Sequence, residues 1–153
     1  MNEGSAETLS VTVEREVPFP PEKIWRALTQ PHLIEEWLMK NDFAAVVGHH
    51  FHLRGDWGGV LECEVLAVEP NKRLSYTWNF AHDDAAYNLK SVVTFTLTPT
   101  SKGTYLRMEQ TGFRPDQRQA YRGAHAGWQQ FFAPLLFETF RSRRRPDLSS
   151  SGS

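Results

Sequence analysis

Between residues 50 and 111 apolar side chains return at every second position, segment after segment, with turn signals between the segments. After residue 111 the apolar period lengthens to that of a helix. Few folds accept both halves of that pattern. Residues 50–54 place Phe51 and Leu53 on one face, and DWGG follows as a turn. Residues 60–68 form the next strand, and EPNK turns the chain. Residues 73–80 alternate Leu74, Tyr76, Trp78 and Phe80, and residues 91–98 alternate Val93, Phe95 and Leu97. Residues 104–111 carry Leu106, Met108 and Gln110 in phase. Strands in hairpin succession make an antiparallel sheet. A sheet with one apolar face needs one covering layer. The long element available for that is residues 123–140, GAHAGWQQFFAPLLFETF, read as a helix.

The N-terminal third reads differently. Residues 9–17 alternate Leu9, Val11 and Val13 and predict a strand. Pro20 and Pro21 then suit a helix start, where a missing N–H costs nothing. Ile24, Trp25 and Leu28 recur at helical spacing. Pro31 ends that helix and opens a second short one carrying Leu33, Ile34 and Trp37. Residues 1–7 and the tail 143–153 lack periodicity. One domain over residues 8–142 is expected.

Totals narrow the function classes. The 153 residues include ten Phe and five Trp, enough for a sizeable core. A formal net charge of -1 gives no overall field for nucleic acid or an anionic membrane, so neither partner is expected. The single cysteine, Cys63, excludes an intramolecular disulfide framework and a cysteine-based zinc cluster. The opening MNEGSAETLS has no signal-peptide pattern, and no run approaches a membrane span. A cytoplasmic setting is expected.

The order strand, two helices, several strands and a long helix coincides with specific motifs. Pro20, Pro21, Trp25, Leu28, Thr29 and Trp37 form a Pro-Pro-x-x-x-Trp-x-x-Leu-Thr helix and a short helix ending in Trp. Val47, Gly48 and Phe51 form a Gly-x-x-Phe strand. Pro70, Arg73, Leu74 and Trp78 form a Pro-x-x-Arg-Leu-x-x-x-Trp hairpin, and QTGF precedes GWQQFFAPL. Over residues 8–140 this resembles the SRPBCC superfamily, the START-like or birch-pollen-allergen-like helix-grip proteins. It is most similar to the branch related to the activator of the heat-shock chaperone ATPase. The resemblance implies an α+β helix-grip fold: a curved antiparallel sheet of six or seven strands around a long C-terminal helix, with two short helices after the first strand. It also implies an apolar cavity between sheet and helix. It does not imply one chemistry.

Candidate site residues follow from the face assignments. His125, Trp128 and Phe132 share a face of the long helix, so that helix covers either a cavity anchored by His125 or a core edged by a hydrogen-bonded histidine. Gln110 points inward and needs partners or water. Trp78, Phe95 and Met108 are in phase with the apolar face, and Trp57 and Trp37 are placed at a cavity mouth. No cofactor and no metal are expected. His50 and His52 share a strand face, yet a metal site needs more ligands. Glu62 and Glu64 flank Cys63 and read as a solvent face. Three functions are weighed. The first is binding of a largely apolar, lipid-like or polyketide-like small molecule. The second is a co-chaperone or stress-response interaction module with a chaperone partner. The third is a cyclase or hydrolase with His125 as base. Binding is favoured over turnover, in a monomer or homodimer.

Overall fold

The computed structural model describes residues 9–55, 58–84 and 87–130. Seven strands form one antiparallel sheet in the order β1-β7-β6-β5-β4-β3-β2. They are β1 Leu9–Val17, β2 Lys40–Asn41, β3 His50–Arg54, β4 Val60–Glu69, β5 Arg73–Phe80, β6 Leu89–Thr100 and β7 Gly103–Phe113. From β2 to β7 each strand pairs with its successor. Only β1 crosses over, to lie against β7. Register shifts at Leu9/Ser10 and Val65/Ala67 mark bulges, which bend strands and help curve the sheet.

Two short helices follow β1: α1, Pro21–Thr29, and α2, Pro31–Trp37. Pro21 opens α1 without losing a bond, and the Thr29 hydroxyl closes it on the Trp25 carbonyl at 2.7 Å. Gln30 is extended and serves as end of one helix and start of the next. Ile24, Ala27, Leu28, Leu33, Ile34 and Trp37 are buried. Thus α1 and α2 supply part of the cover that the sequence pattern assigns to the terminal helix alone. That helix, α3, is Arg118–Gln130 within the described residues, so it starts five residues before Gly123. The rest of the stretch read as this helix, residues 131–140 with Phe132 among them, lies outside the described residues, as do Trp57, residues 1–7 and the tail from 143.

The period-2 reading holds on the inner face. Leu74, Val93, Phe95, Leu106, Met108 and Gln110 have no exposed surface. Leu9 departs from it and is 37% exposed, because the bulge beside it breaks the alternation. The two-residue β2 was not expected from the sequence. It is too short to show a period, and it pairs only with the end of β3. The described architecture is α+β and conforms to the helix-grip arrangement.

Candidate ligand cavity

A cavity of about 380 Å³ lies between the sheet and α3. The sheet side is made by Trp78 and Phe80 of β5, Leu89 of β6 and Gln110 of β7. The helix side is Ala120, Gly123, Ala124, Gly127 and Trp128, and Tyr87 stands at the rim. The four small residues sit at i, i+3, i+4 and i+7, one face of a helix. Their lack of bulk leaves the hollow open. Among the described residues no carboxylate, amine, guanidinium or imidazole lines it. Its volume lies at the small end of the range for ligand pockets, about 300–1,000 Å³. A second hollow, of about 420 Å³, lies by the start of α3 and is lined mainly by polar and charged side chains such as Asp116, Arg118 and Gln119.

Hydrogen bonds hold the floor. The Trp128 indole N–H donates to Gln110 Oε1 at 2.7 Å. Gln110 Nε2 donates to Ser91 Oγ at 2.9 Å, and Ser91 Oγ donates to the Trp78 carbonyl at 2.6 Å. Burial without partners would make Gln110 costly, and these two bonds satisfy both ends of its amide. The Trp78 and Trp128 rings lie 5.1 Å apart, tilted by 52°. At the rim the Tyr87 hydroxyl donates to Gln119 at 3.2 Å.

The sequence candidates divide clearly. Trp78, Gln110 and Trp128 line the cavity. Phe95 and Met108 are buried but sit behind it, in the core. Trp37, expected at a mouth, is 1% exposed and belongs to that core as well. Its indole N–H reaches the Ala27 carbonyl at 2.8 Å, and its ring meets Phe95 edge-on at 6.2 Å. His125 is corrected: it is exposed and does not line the cavity. The reason is angular. Three residues along a helix leave about 60° of rotation. The inward stripe runs through Tyr121, Ala124 and Trp128, and the other small cavity-facing residues lie to one side of it. His125 falls on the other side, towards Gln129, which accepts from Arg15 of β1 at 3.4 Å.

Sequence reasoning missed Leu89, Tyr87 and the small face of α3. The spacing of Ala120, Gly123, Ala124 and Gly127 was the available signal. Ser91 was also legible, since it is in phase with Val93 and Phe95.

Elsewhere, Cys63 is buried and its thiol is pushed up to about 12, chiefly by desolvation and then by the charges of Asp42 and Glu62. Burial also raises the Tyr76 phenol. On the outer face His50 pairs with Glu64 and His52 with Glu62 across β3 and β4. The His52 backbone N–H, 2.6 Å from Asp42 Oδ1, holds that carboxyl below its usual range. Among the described residues no group of three or more His, Cys, Asp or Glu is placed to hold a metal ion. No helix among them is long and apolar enough to cross a membrane.

Known proteins sharpen the picture. Protein MLL2253 from Mesorhizobium loti is 69% identical, with a TM-score of 0.84 over 88% of this chain and 98% of that one. Protein BH1534 from Bacillus halodurans is 26% identical, with a TM-score of 0.73 over 87% of this chain and 98% of that one. DynU16, from the dynemicin biosynthetic locus, is 23% identical, with a TM-score of 0.72 over 90% of this chain and 48% of that one, a likeness of fold alone. No curated protein matches the sequence. The family model described as Activator of Hsp90 ATPase homolog 1-like protein matches residues 18–136. The chain therefore belongs to the activator of Hsp90 ATPase homolog 1-like family, the branch of the SRPBCC superfamily that its motifs resemble.

Proposed function

We propose that the protein binds a largely apolar, uncharged small molecule in the cavity between β5–β7 and α3. The observation that carries this reading is a hollow of about 380 Å³ walled by Trp78, Phe80, Leu89 and Trp128, with no charged side chain among the described residues of its lining. Such a site gains affinity from apolar contact and pairs poorly with an ion, whose desolvation nothing there offsets. Trp78, Phe80 and Leu89 pack against the ligand from the sheet, and Ala124 and Gly127 let it approach the helix backbone. Turnover is not part of the reading, because the one histidine offered as a base, His125, lies off the cavity. Native mass spectrometry of protein purified from its source tests it. A retained neutral small molecule that is lost on filling the hollow with Ala124→Leu supports it. Retention unchanged by that substitution removes the cavity as the site.

Family membership favours a second reading, contact with an Hsp90-type chaperone. A pull-down with the chaperone, followed by its ATPase rate with and without this protein, decides that reading. No capture and no stimulation would eliminate it.

A further inference from the structure

We infer that Gln110 is the positioning residue of this cavity, acting on a ligand chiefly through Trp128 and Trp78. The inference rests on the binding reading above and adds how the floor is set. Gln110 has no exposed surface, whereas Trp128 is 2% exposed and Trp78 8%. A ligand entering the hollow meets the rings before the amide.

The relay has one possible direction. An indole N–H only donates, so the Gln110 atom 2.7 Å from it is the carbonyl oxygen. That turns Nε2 towards Ser91 Oγ, where it can only donate. Ser91 must accept there, and it directs its own hydrogen at the Trp78 carbonyl, which only accepts. A flipped amide, a carboxylate or an apolar side chain each breaks at least one link. The relay joins α3 to β7, β6 and β5 in a single chain of buried bonds. A second tie between α3 and a strand, Arg15 to Gln129, is longer at 3.4 Å and half-buried. Gln110 thus fixes the spacing of helix and sheet at the point where the two indoles meet.

Charge is the probe of that direction. In Gln110→Glu a protonated carboxylic acid reproduces the relay, its C=O accepting from Trp128 and its O–H donating to Ser91. An ionised carboxylate cannot donate and is a buried charge. Burial raises the titration of a carboxyl at such a position well above the usual carboxylate range. Gln110 lies opposite Val11 of β1 and Val93 of β6. Among the described residues of the cavity lining, Tyr87 alone carries a titratable side chain. The side chains that carry the relay, Trp128, Gln110 and Ser91, hold no acid or base that titrates between pH 5 and 9 in wild type.

Two measurements on the intact protein separate this inference from the binding reading. The first needs no ligand: exchange of the Trp128 indole N–H, followed by NMR in wild type, Gln110→Glu and Gln110→Met. The second is affinity for the neutral probe N-phenyl-1-naphthylamine from pH 5 to 9, with circular dichroism to show that each variant is folded. We expect a protected indole N–H in wild type, protection in Gln110→Glu that is lost as pH rises, and none in Gln110→Met. Probe affinity should stay flat in wild type and fall at least tenfold across the range in Gln110→Glu. Free exchange in wild type overturns the inference, and so does a folded Gln110→Met that binds the probe as wild type does. If wild type binds no probe but indole protection follows the expected pattern, the relay stands and the binding reading fails.

Discussion

The indole N–H of Trp128 lies 2.7 Å from Oε1 of Gln110, and both side chains are buried. The bond satisfies a group on the helix and a group on the sheet together. Trp128→Phe keeps an aromatic ring against Phe95 and Trp78 but leaves the Gln110 carbonyl without its donor. A buried acceptor left unpaired costs about 1–3 kcal/mol, and the smaller ring adds to that. Urea unfolding should show a stability loss of that size as a lower midpoint with an unchanged slope.

Opposite outcomes are expected from neighbouring positions on α3. A Cβ at Gly123 meets nothing within 4 Å, so Gly123→Ala should stabilise the helix by about 0.5–1 kcal/mol through lower backbone entropy in the unfolded chain. Ala124 is half-buried and lines the hollow. Ala124→Leu should change stability by no more than about 1 kcal/mol while lowering affinity for an apolar probe at least tenfold. Thermal melts and probe titrations read the two effects separately.

Gly112 is held at φ +115°, a conformation that L side chains rarely adopt, and a Cβ there would lie 2.7 Å from the Lys90 carbonyl oxygen and 3.1 Å from Ser91 Cα. Both contacts are with backbone, which cannot swing away. Gly112→Ala should destabilise by roughly 1–3 kcal/mol from strain alone, with the clash in addition. Because the displaced segment contains Ser91, weaker probe binding should accompany the lower melting temperature.

Cys63 offers a pH test. Its thiol titrates near 12 in the folded protein against a reference value of 9.0. Below pH 9 the thiol is protonated in both states and contributes no pH dependence. As pH rises from about 9 towards 12, the unfolded chain loses this proton first, so stability falls with pH in that window. Cys63→Ala should flatten this part of the profile. At pH 8 the folded thiol should resist iodoacetamide, and alkylation should become fast in urea, as mass spectrometry would show.

Most of the sheet was legible because period two is a direct readout of burial. Leu74, Val93 and Leu106 obey it without exception, and turn residues marked the hairpins. The cavity was only half legible. Trp78, Gln110 and Trp128 announced themselves as large or polar groups on apolar faces. Phe95 and Trp37 looked equally suitable, because strand and helix periodicity say that a side chain points inward, not whether it meets a void or another ring. His125 failed for a finer reason: helical spacing groups residues within a broad stripe, and about 60° inside that stripe separates cavity from solvent. The void itself is recorded in Ala120, Gly123, Ala124 and Gly127, residues conspicuous only for what they lack.

The crossover of β1 also bears on how the molecule is made. Its nine residues pair along their length with β7, Leu9 opposite Phe113 and Val17 opposite Thr104. Every other neighbouring pair in the sheet is consecutive in the chain and can zip as a hairpin. A ribosome delivers β1 first, yet its ladder partner emerges only after all the other strands. Contacts so distant in sequence form late, since a long loop must close before any bond rewards it. The first strand synthesised must therefore wait, unpaired within its own sheet, for the last one to arrive.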